Sequence, residues 1–415
     1  MKFAIAVHGT RGDVEPVAAV GLELMRRGHE VRLAVPPNLV AFAESAGFSD
    51  VQAYGPDSQK QLEAEIFRDW YKLRNPLTVL RQAREYVTDG WADMNATLVK
   101  LAEGADLILT GTTYQEVAAN VAEARGIPLA ALHYFPARAN TYLLPVRLPM
   151  KVIEPAFAVA EWGHWRILKP ADDEQRRTLG LPQSESRATK RIVDNGALEI
   201  QAYDKVLFPR LEDEWGPTRP LVGSMSLQMP TDEDTAVMEW VESGTPPIYF
   251  GFGSMPVEDP AAAVEMIRGV CRELGQRALV CSGVLALEGI ADTPDMMIVP
   301  SVNHAAVFPK CRAIVHHGGA GTTAASLRSG VPTLILWVGA DQPVWAEAVK
   351  RSGAGTAHRF STTTPETLRK DLTTVLGPAC TARAREVAGQ MTPVARSVAT
   401  TADLLEQKAG ARTGR

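Results

Sequence analysis

Residues 3–28, which read FAIAVHGTRGDVEPVAAVGLELMRRG, predict a strand, a loop and a helix in succession. The apolar run Phe3–Val7 has the length of a strand. Between Pro16 and Arg27 the apolar residues recur every three or four positions, as on one face of a helix, and Gly28 then ends the pattern. A strand that leads through a loop into a helix is the building unit of a parallel sheet covered by helices.

The same alternation recurs along both halves of the chain. Further predicted strands are Val31–Val35, Asp106–Leu109 and Leu129–Leu132 in the first half, and Ile248–Phe252, Ala278–Cys281, Met297–Val299, Ala313–His317 and Thr333–Trp337 in the second. Helical patterns separate these runs. The sequence therefore predicts an α/β protein with two doubly wound, Rossmann-like parallel sheets.

The domain boundaries follow from a polar, turn-rich stretch between the two series of strands. The predicted segments are an N-terminal domain at 1–220, a linker at 221–245, a C-terminal domain at 246–395, and a final helix and tail at 396–415. Two stretches of the first domain interrupt the alternation of strands and helices. Residues 59–100 predict long amphipathic helices, and residues 140–200 are rich in prolines and aromatic residues. We expect both to be insertions outside the sheet.

The composition excludes several classes of protein. Hydrophobic residues make up 46% of the 415 residues and charged residues 22%, which is typical of a globular protein rather than a disordered or fibrous one. The net charge of −5 argues against nucleic acid as a partner, because binding to a phosphate backbone needs a basic surface.

The sequence predicts a cytoplasmic protein without a membrane span. No stretch approaches the roughly 18 consecutive apolar residues that a span requires. The apolar run near the N-terminus stops at His8, too early for a signal peptide. The four cysteines lack the spacing of a metal site and are predicted to be free and buried; they are Cys271, Cys281, Cys311 and Cys380.

Three predicted strand-to-helix loops carry polar groups at the edge where doubly wound sheets bind ligands. The first, HGTRGD at 8–13, lacks the glycine spacing of a dinucleotide site. Asp13 lies just before the predicted helix, so it is either a general base or an ordinary helix cap. His8 is the competing base, because imidazole titrates near neutral pH.

The second loop, HHGGAGTT at 316–323, is suited to an anion. Three glycines in four positions and two threonines at a helix start present backbone amides, hydroxyls and the positive end of a helix dipole. His317 adds a donor that can be cationic. A tight turn alone would explain the glycines but not the flanking histidine and threonines, so the loop favours a diphosphate.

The third loop pairs Asp341 with Gln342, which together could hold two hydroxyls of a sugar or could simply cap a helix. Ser254, in the sequence GFGSM at 251–255, follows the first strand of the second half. Its hydroxyl is expected to reach the same phosphates as the second loop.

Read together, HGTRGDVEP at 8–16, GFGSM at 251–255, HHGGAGTT at 316–323 and ADQP at 340–343 resemble the GT-B glycosyltransferases of family 1. Within that family the chain resembles the bacterial branch that glycosylates glycopeptide antibiotics, macrolides and mycobacterial glycopeptidolipids, and the resemblance covers essentially the whole chain. It implies an acceptor-binding N-terminal domain and a nucleotide-sugar-binding C-terminal domain that face each other across a cleft. The last helix would return to the N-terminal domain.

The resemblance also implies a role for each matching residue. Asp13 would be the general base. The diphosphate of the donor would be bound by His317, Gly319, Gly321 and Thr322, with help from Ser254. The sugar would be bound by Asp341 and Gln342. The nucleobase would lie beside Val299 and Ser301. The segment Pro300–Asn303 departs from the family pattern, which has an aromatic residue or a glutamine after the proline, and so does not predict the base.

The acceptor site is predicted from aromatic and apolar residues of the first half, each of which could also be an ordinary core residue. The candidates are Trp70, Tyr71, His133, Phe135 and Tyr142. They suggest a large apolar or amphipathic acceptor, either a small molecule or a lipid-linked one. Peripheral association with a membrane would suit a lipid acceptor.

The resemblance implies inverting transfer of a hexose or deoxyhexose from a UDP- or TDP-sugar, without metal or other cofactor. The acidic pattern Asp232–Asp234 is interpreted as a solvated helix cap rather than a metal site. Two alternatives remain, a nucleotide-sugar 2-epimerase and a non-catalytic nucleotide-sugar binder. Release of nucleoside diphosphate that depends on an acceptor would distinguish the transferase from both.

Overall fold

The computed structural model describes residues 1–63, 85, 88–142, 148–227, 229–231, 233–253, 257, 259–283, 287 and 292–411. The chain divides into two units. The first comprises Met1–Ala202, Leu211–Leu227 and Pro393–Arg415, and the second comprises Tyr203–Arg210 and Gln228–Thr392. Each unit is built on a parallel sheet, as the sequence predicted, and each sheet has six strands.

The first unit has the strand order β3-β2-β1-β4-β5-β6. Its strands are β1 (Lys2–Ala6), β2 (Glu30–Val35), β3 (Val51–Ala53), β4 (Leu107–Thr110), β5 (Leu129–His133) and β6 (Leu198–Gln201). Its helices are α1 (Arg11–Arg26), α2 (Val40–Ser45), α3 (Ser58–Glu63), α4 (Trp91–Leu101), α5 (Gln115–Arg125), α6 (Met150–Thr178), α7 (Ala188–Asp194), α8 (Leu211–Trp215) and α16 (Val394–Gly410). The central position of β1 explains why every residue from Phe3 to Val7 is fully buried.

Helix α1 begins earlier than the sequence predicted. It starts at Arg11, and Pro16 lies inside it. A reciprocal capping box between Thr10 and Asp13 satisfies the first-turn amides, so the helix can start before the proline. The proline then removes only one main-chain hydrogen bond near the helix start.

The predicted insertion at 59–100 is partly a helix of the core. Trp91, Met94 and Leu98 of α4 are buried with Ala4 and Ala6 of β1, so α4 covers one face of the sheet. In the second insertion, 140–200, helix α6 runs from Met150 to Thr178 without a break although it contains two prolines.

The C-terminal helix packs on the first unit, which confirms the expectation from the resemblance. The Arg27 guanidinium at the end of α1 donates to Asp403 Oδ1 at 2.6 Å and to Glu406 Oε2 at 2.9 Å. Ser397 and Thr401 of α16 are fully buried.

The second unit has the strand order β12-β11-β10-β7-β8-β9. Its strands are β7 (Ile248–Gly251), β8 (Ala278–Cys281), β9 (Met296–Val299), β10 (Ala313–His316), β11 (Thr333–Trp337) and β12 (Gly355–Arg359). Its helices are α9 (Asp234–Glu242), α10 (Pro260–Glu273), α11 (His304–Val307), α12 (Ala320–Arg328), α13 (Gln342–Ser352), α14 (Pro365–Val375) and α15 (Pro378–Ala388). Helix α9 lies within the stretch that was predicted as a linker.

Residues 203–210 belong to the second unit although they lie inside the predicted N-terminal domain. The rings of Tyr203 and Phe208 contact Trp345 of α13 at centroid distances of 6.0 and 5.6 Å. Asp204 accepts a hydrogen bond of 2.7 Å from the main-chain amide of Thr392. These aromatic contacts join the segment to the second core.

The cysteines are all free thiols; three are buried and Cys380 is partly exposed. No helix among the described residues is long and apolar enough to cross a bilayer.

Candidate active site

The carboxylate of Asp13 folds back over the loop that precedes α1. Its Oδ2 accepts hydrogen bonds from the main-chain amide of Thr10 at 2.7 Å and from the Thr10 hydroxyl at 3.2 Å. Gly9 adopts φ +145°, and a Cβ at that position would lie 2.3 Å from Oδ2. Asp13 is therefore a helix cap in geometry, and the positive end of the α1 dipole stabilises its negative charge.

A tyrosine that the sequence analysis did not assign to the site supports the same loop. The Tyr134 hydroxyl, just after β5, donates to the Asp13 carbonyl at 2.7 Å. Burial raises the pKa of Tyr134 well above its ordinary value, so the hydroxyl remains a donor. The pattern Thr10-x-x-Asp13 was the available signal for the cap, whereas nothing in the local sequence indicated that Tyr134, an aromatic residue that could flank the cleft, would bond to this loop.

His8, the competing base, is buried at the end of β1. Its Nε2 lies 3.1 Å from the Pro56 carbonyl, which can only accept, so Nε2 carries the proton and Nδ1 is the basic nitrogen of the neutral ring. The ring packs edge-on against Tyr114. Burial lowers the pKa of His8, which keeps the imidazole neutral at neutral pH.

The acceptor candidates do not form one exposed surface in the described residues. Trp70 and Tyr71 lie outside these residues. His133 is fully buried at the end of β5, with Nε2 3.2 Å from Gln115 Oε1, and burial lowers its pKa to about 4. Tyr142 is also buried, and Phe135 is partly exposed. The structure therefore places His133 and Tyr142 in the core of the first unit.

The first unit has an open cavity of about 370 Å³ beside α6 and α7, with Phe157 and Trp215 among its walls. Its cations are paired: Arg219 Nε is 2.8 Å from Glu199, and Lys190 is 2.6 Å from Asp194. Arg219 bonds to β6, which β4 and β5 separate from β1. We do not assign this cavity to the reacting centre, since Asp13 follows β1.

In the second unit, strand register brings the candidate donor loops to one edge of the sheet. His316 at the end of β10 is opposite Gly251 of β7 on one side and Ile335 of β11 on the other. Strands β7 and β10 therefore end level with each other, and β11 continues for two more residues. The loops that follow them contain Gly253, the glycine loop and Asp341.

The His317 imidazole lies between two glycines. A Cβ on Gly253, which has φ +61°, would be 2.6 Å from the ring Cε1, and a Cβ on Gly319 would be 2.6 Å from Nε2. Nδ1 is buried and has no hydrogen-bond partner in the part of the chain that the structure describes. Burial lowers the pKa of His317 to about 4, so the ring is neutral near pH 7 and not cationic before an anion binds.

The glycine loop positions main-chain amides at the start of α12. Gly319 is the N-cap residue, and its carbonyl accepts from the amide and the hydroxyl of Thr323 at 2.9 Å each. The first-turn amides, including those of Gly321 and Thr322, have no acceptor within the helix. An added Cβ on Gly321 would meet no atom within 4 Å. Such a helix start can bind a phosphate group.

His316 and Gly318 hold this loop in place. The Gly318 amide donates to His316 Nδ1 at 3.0 Å, and Gly318 has φ +93°. A Cβ there would lie 2.7 Å from Ile335 Cγ2. Only glycine therefore fits at Gly318, both for its backbone conformation and for its contact with β11.

Asp341 and Gln342 shape the third loop. Gln342 Oε1 accepts from the amides of Val338 at 2.7 Å and Gly339 at 3.2 Å, and the side chain is buried. Asp341 is the N-cap residue of α13, and its carboxylate accepts from Trp345 Nε1 at 2.9 Å. Burial raises the pKa of Asp341. The two residues are adjacent, and the bonds described above are internal to the third loop and α13.

The predicted nucleobase segment follows β9. Val299 is buried, and the Ser301 hydroxyl donates to Glu233 Oε2 at 3.3 Å. Asp234 accepts from the Thr231 hydroxyl and the Asn303 amide at 2.8 and 2.9 Å, which agrees with its interpretation as a structural cap. Ser254 and Asp232 lie outside the described residues.

Two family models match the chain. Residues 3–143 match the glycosyltransferase family 28 N-terminal domain. Residues 279–404 match the C-terminal domain of the erythromycin biosynthesis protein CIII-like family. The first match includes Asp13, and the second includes the glycine loop and Asp341.

Related proteins match most or all of the chain. An uncharacterized glycosyltransferase of Mycobacterium tuberculosis is 54% identical over 411 residues, which are 99% of this chain and 99% of the relative. Another, from Mycobacterium leprae, is 52% identical over 421 residues, covering 100% and 99%. A sterol 3-beta-glucosyltransferase of Arabidopsis thaliana is 30% identical over 378 residues, covering 86% of this chain and 60% of the relative.

Solved structures share the fold at low sequence identity. The glycosyltransferase of kitacinnamycin is 19% identical with a TM-score of 0.75, covering 98% of this chain and 99% of that structure. The glycosyltransferase VinC in complex with dTDP is 19% identical with a TM-score of 0.68, covering 99% and 100%. The glycosyltransferase SsfS6 of Streptomyces sp. SF2575, complexed with thymidine diphosphate, is 21% identical with a TM-score of 0.62, covering 98% and 99%.

Sequence identity above 50% across the full length and the matching two-sheet architecture agree on the family. The chain therefore belongs to the glycosyltransferases with the GT-B fold.

Proposed function

We propose that the chain transfers a hexose or deoxyhexose from a UDP- or TDP-sugar, with inversion, to a hydroxyl of an apolar or amphipathic acceptor. The observation that carries this proposal is the glycine loop of the second unit. There the first-turn amides of α12, which have no acceptor within the helix, lie next to a buried imidazole whose Nδ1 has no hydrogen-bond partner among the described residues. A diphosphate bound there would accept hydrogen bonds from the amides and would lie beside the imidazole.

The donor is proposed to be a nucleoside diphosphate sugar with uridine or thymidine. The two structural neighbours that hold dTDP or thymidine diphosphate support this class. His317, Gly319, Gly321 and Thr322 would surround the diphosphate, Asp341 and Gln342 would lie at the sugar, and Ser254, Val299 and Ser301 would complete the donor site. Because the residues after Pro300 depart from the family pattern, uridine and thymidine both remain candidates for the nucleoside.

Asp13 is proposed as the general base. The acceptor oxygen would attack the anomeric carbon while its proton moves to the Asp13 carboxylate and the bond to the diphosphate breaks. The two bonds from Thr10 orient the carboxylate. His8, which is neutral, is the alternative base.

Charge on the leaving diphosphate would be stabilised by the second unit. The amides and dipole at the start of α12 act without reorganising. The neutral His317 can take up a proton as negative charge develops beside it, because a nearby anion favours the imidazolium. These groups would stabilise the negative charge that a metal ion would otherwise stabilise. We therefore propose that the reaction needs neither metal nor other cofactor.

The acceptor is proposed to be a lipid-linked molecule or another secondary metabolite, reached in the cytoplasm or at the membrane surface. The similarity to a sterol 3-beta-glucosyltransferase supports an apolar acceptor. Phe135 is the candidate with exposed surface in the described residues.

Thermal stabilisation by nucleotides tests the donor site. At a nucleotide concentration of about 100 times Kd, a ligand that binds only the native state adds about 2.7 kcal/mol to its stability. UDP or TDP should raise Tm in excess chelator, and GDP and NAD should not. Stabilisation by NAD alone, or by no nucleotide, would contradict the assignment of the glycine loop.

Product analysis tests the reaction. Release of nucleoside diphosphate should depend on an added hydroxyl acceptor and should continue in excess chelator. Release without any acceptor would favour the 2-epimerase, and binding without release would favour a non-catalytic binder. Complete loss of turnover in chelator would refute metal independence.

A further inference from the structure

The first half of helix α6 exposes large apolar side chains to solvent. Val152 is 48% exposed, Val159 69% and Trp162 55%, and they lie within eleven consecutive residues of one helix. Exposed valine and tryptophan at this density are unusual for a helix that faces water. The stretch from Val152 to Trp162 is about 15 Å long.

These residues share the face of α6 that points away from the core. Successive residues are rotated by about 100°, so Val152, Ala156 and Val159 fall on one side of the helix. Ile153, Trp165 and Leu168 are buried and lie on the opposite side. We call the exposed set Val152, Pro155, Ala156, Val159 and Trp162 the outer face of α6.

In this half of α6, basic residues lie at the ends of the outer face and acidic residues lie off it. Lys151 and Arg166 are exposed at the two ends of the outer face, and the Arg166 guanidinium lies 5.9 Å from the centre of the Trp162 ring. The acidic residues point elsewhere. Glu161 pairs with Arg138 at 3.7 Å and Arg187 at 3.3 Å, and Glu154 lines the cavity of the first unit.

From this arrangement we propose that the outer face of α6 docks on the surface of a membrane that carries anionic lipids. Val152, Val159 and Trp162 enter the boundary between headgroups and acyl chains, and Lys151 and Arg166 contact anionic headgroups. Tryptophan favours this depth because its ring has an apolar body and one polar group. The helix lies on the bilayer and does not cross it.

A second copy of the chain fits this face less well. A two-fold dimer through this face brings like charges together, since Lys151 of one copy lies near Arg166 of the other when the helices are antiparallel and near the other Lys151 when they are parallel. Two cations would then face each other without an acidic residue between them. An anionic membrane supplies the missing negative charge.

The proposal deepens the proposed function, because a bilayer would supply the amphipathic acceptor. Its test needs neither donor nor acceptor. The full-length protein is sedimented with vesicles of phosphatidylglycerol and phosphatidylcholine in equal parts, and with vesicles of phosphatidylcholine alone. Stabilisation by TDP and UDP is measured on the same preparation, so a failure of membrane binding is distinguished from a failure of the donor site.

The test variant is Val159→Glu with Trp162→Glu. Both side chains are exposed, so the change places charge on the outer face without disturbing the core. Binding to the mixed vesicles should fall about tenfold or more, because two apolar side chains no longer enter the bilayer. The control is Met25→Glu on α1, an exposed apolar position of another helix at 37% exposure, which should bind like the wild type.

A second variant, Lys151→Glu with Arg166→Glu, tests the electrostatic part. It should weaken binding to the mixed vesicles about tenfold or more and change binding to phosphatidylcholine little. The proposal is overturned if the wild type does not bind the mixed vesicles, or if Val159→Glu with Trp162→Glu binds as well as wild type. It is also overturned if the wild type is a dimer that this variant converts to a monomer without any vesicle binding.

Discussion

The substitution Gly319→Ala would displace His317 without straining the backbone. Gly319 has φ −61°, which any residue adopts, but its new Cβ would lie 2.6 Å from His317 Nε2. An ordinary contact needs about 3.4 Å, so the ring must retreat by roughly 0.8 Å. Gly253 also lies close to the ring, where a Cβ would be 2.6 Å from Cε1, and this close packing limits the movement.

We expect this displacement to lower kcat/KM for the sugar nucleotide by about 10- to 100-fold, because misplacement of a catalytic group by about 1 Å can cost that much. The expected loss of folding stability is about 1–3 kcal/mol, as for other overpacked sites. The assay is the initial rate of nucleoside diphosphate release, with the free energy of unfolding measured in parallel. Gly269→Ala in α10 is the control, since its Cβ would meet nothing within 4 Å.

A double-mutant cycle tests whether the effect acts through the imidazole. In a His317→Ala background, Gly319→Ala should reduce kcat/KM by less than about threefold, because the displaced ring is absent. Full additivity of the two losses would refute the reasoning. So would a Gly319→Ala enzyme that turns over within about threefold of the wild-type rate.

Two further predictions concern protonation. Asp13→Asn should lower the rate of transfer by about 100-fold or more while TDP or UDP still raises Tm, since the base is lost and the donor loop is not; near-normal turnover would assign the base to His8. Acid should destabilise the fold. Burial lowers the pKa values of His133 and His317 to about 4 in the native state, below the ordinary 6.5 of an unfolded histidine. As the pH falls, the unfolded chain therefore binds protons at these histidines before the native state does. Their contribution is present above pH 6.5 and is lost as the pH falls toward 4, by about 1 kcal/mol per histidine at pH 5.5. Urea unfolding of the wild type and of His133→Gln between pH 7.5 and 5 measures it; an equal fall in both proteins would show that His133 does not contribute.

The central strands could be predicted from the sequence, but most of the edge strands could not. β1, β4 and β5 of the first sheet and β7, β10 and β11 of the second are buried apolar runs. β3, β6 and β12, which the sequence analysis did not predict, are edges of their sheets. An edge strand has a neighbour on one side only, so fewer of its side chains need to be apolar. Most residues of β12 are accordingly only partly buried.

The start of α1 shows how a local signal can be outweighed. Pro16 indicated a helix start, because proline is favoured in the first turn. The bonds between Thr10 and Asp13 satisfy the amides earlier in the chain and extend the helix back to Arg11. Both patterns are visible in the sequence, and only the structure showed which one sets the boundary.

The candidate donor site was predictable as a set of loops but not as a set of contacts. Doubly wound sheets bring the carboxyl ends of their strands to one edge, so the sequence alone placed Gly253, the glycine loop and Asp341 near one another. The position of the His317 ring between Gly253 and Gly319 depends on residues 64 positions apart in the chain. Its neutral state depends on burial, which the sequence does not specify.

The amino-acid sequence alone indicated the two series of strands and helices, the loops that carry the polar groups, and the resemblance to the glycosyltransferases. It did so because apolar periodicity and glycine position are local properties of the chain. The tertiary structure decided which aromatic residues are core, as with His133 and Tyr142, and which remain on the surface, as with Trp162. Tertiary burial also lowers the pKa values of His8, His317 and His133, because a pKa depends on the solvent that distant segments exclude.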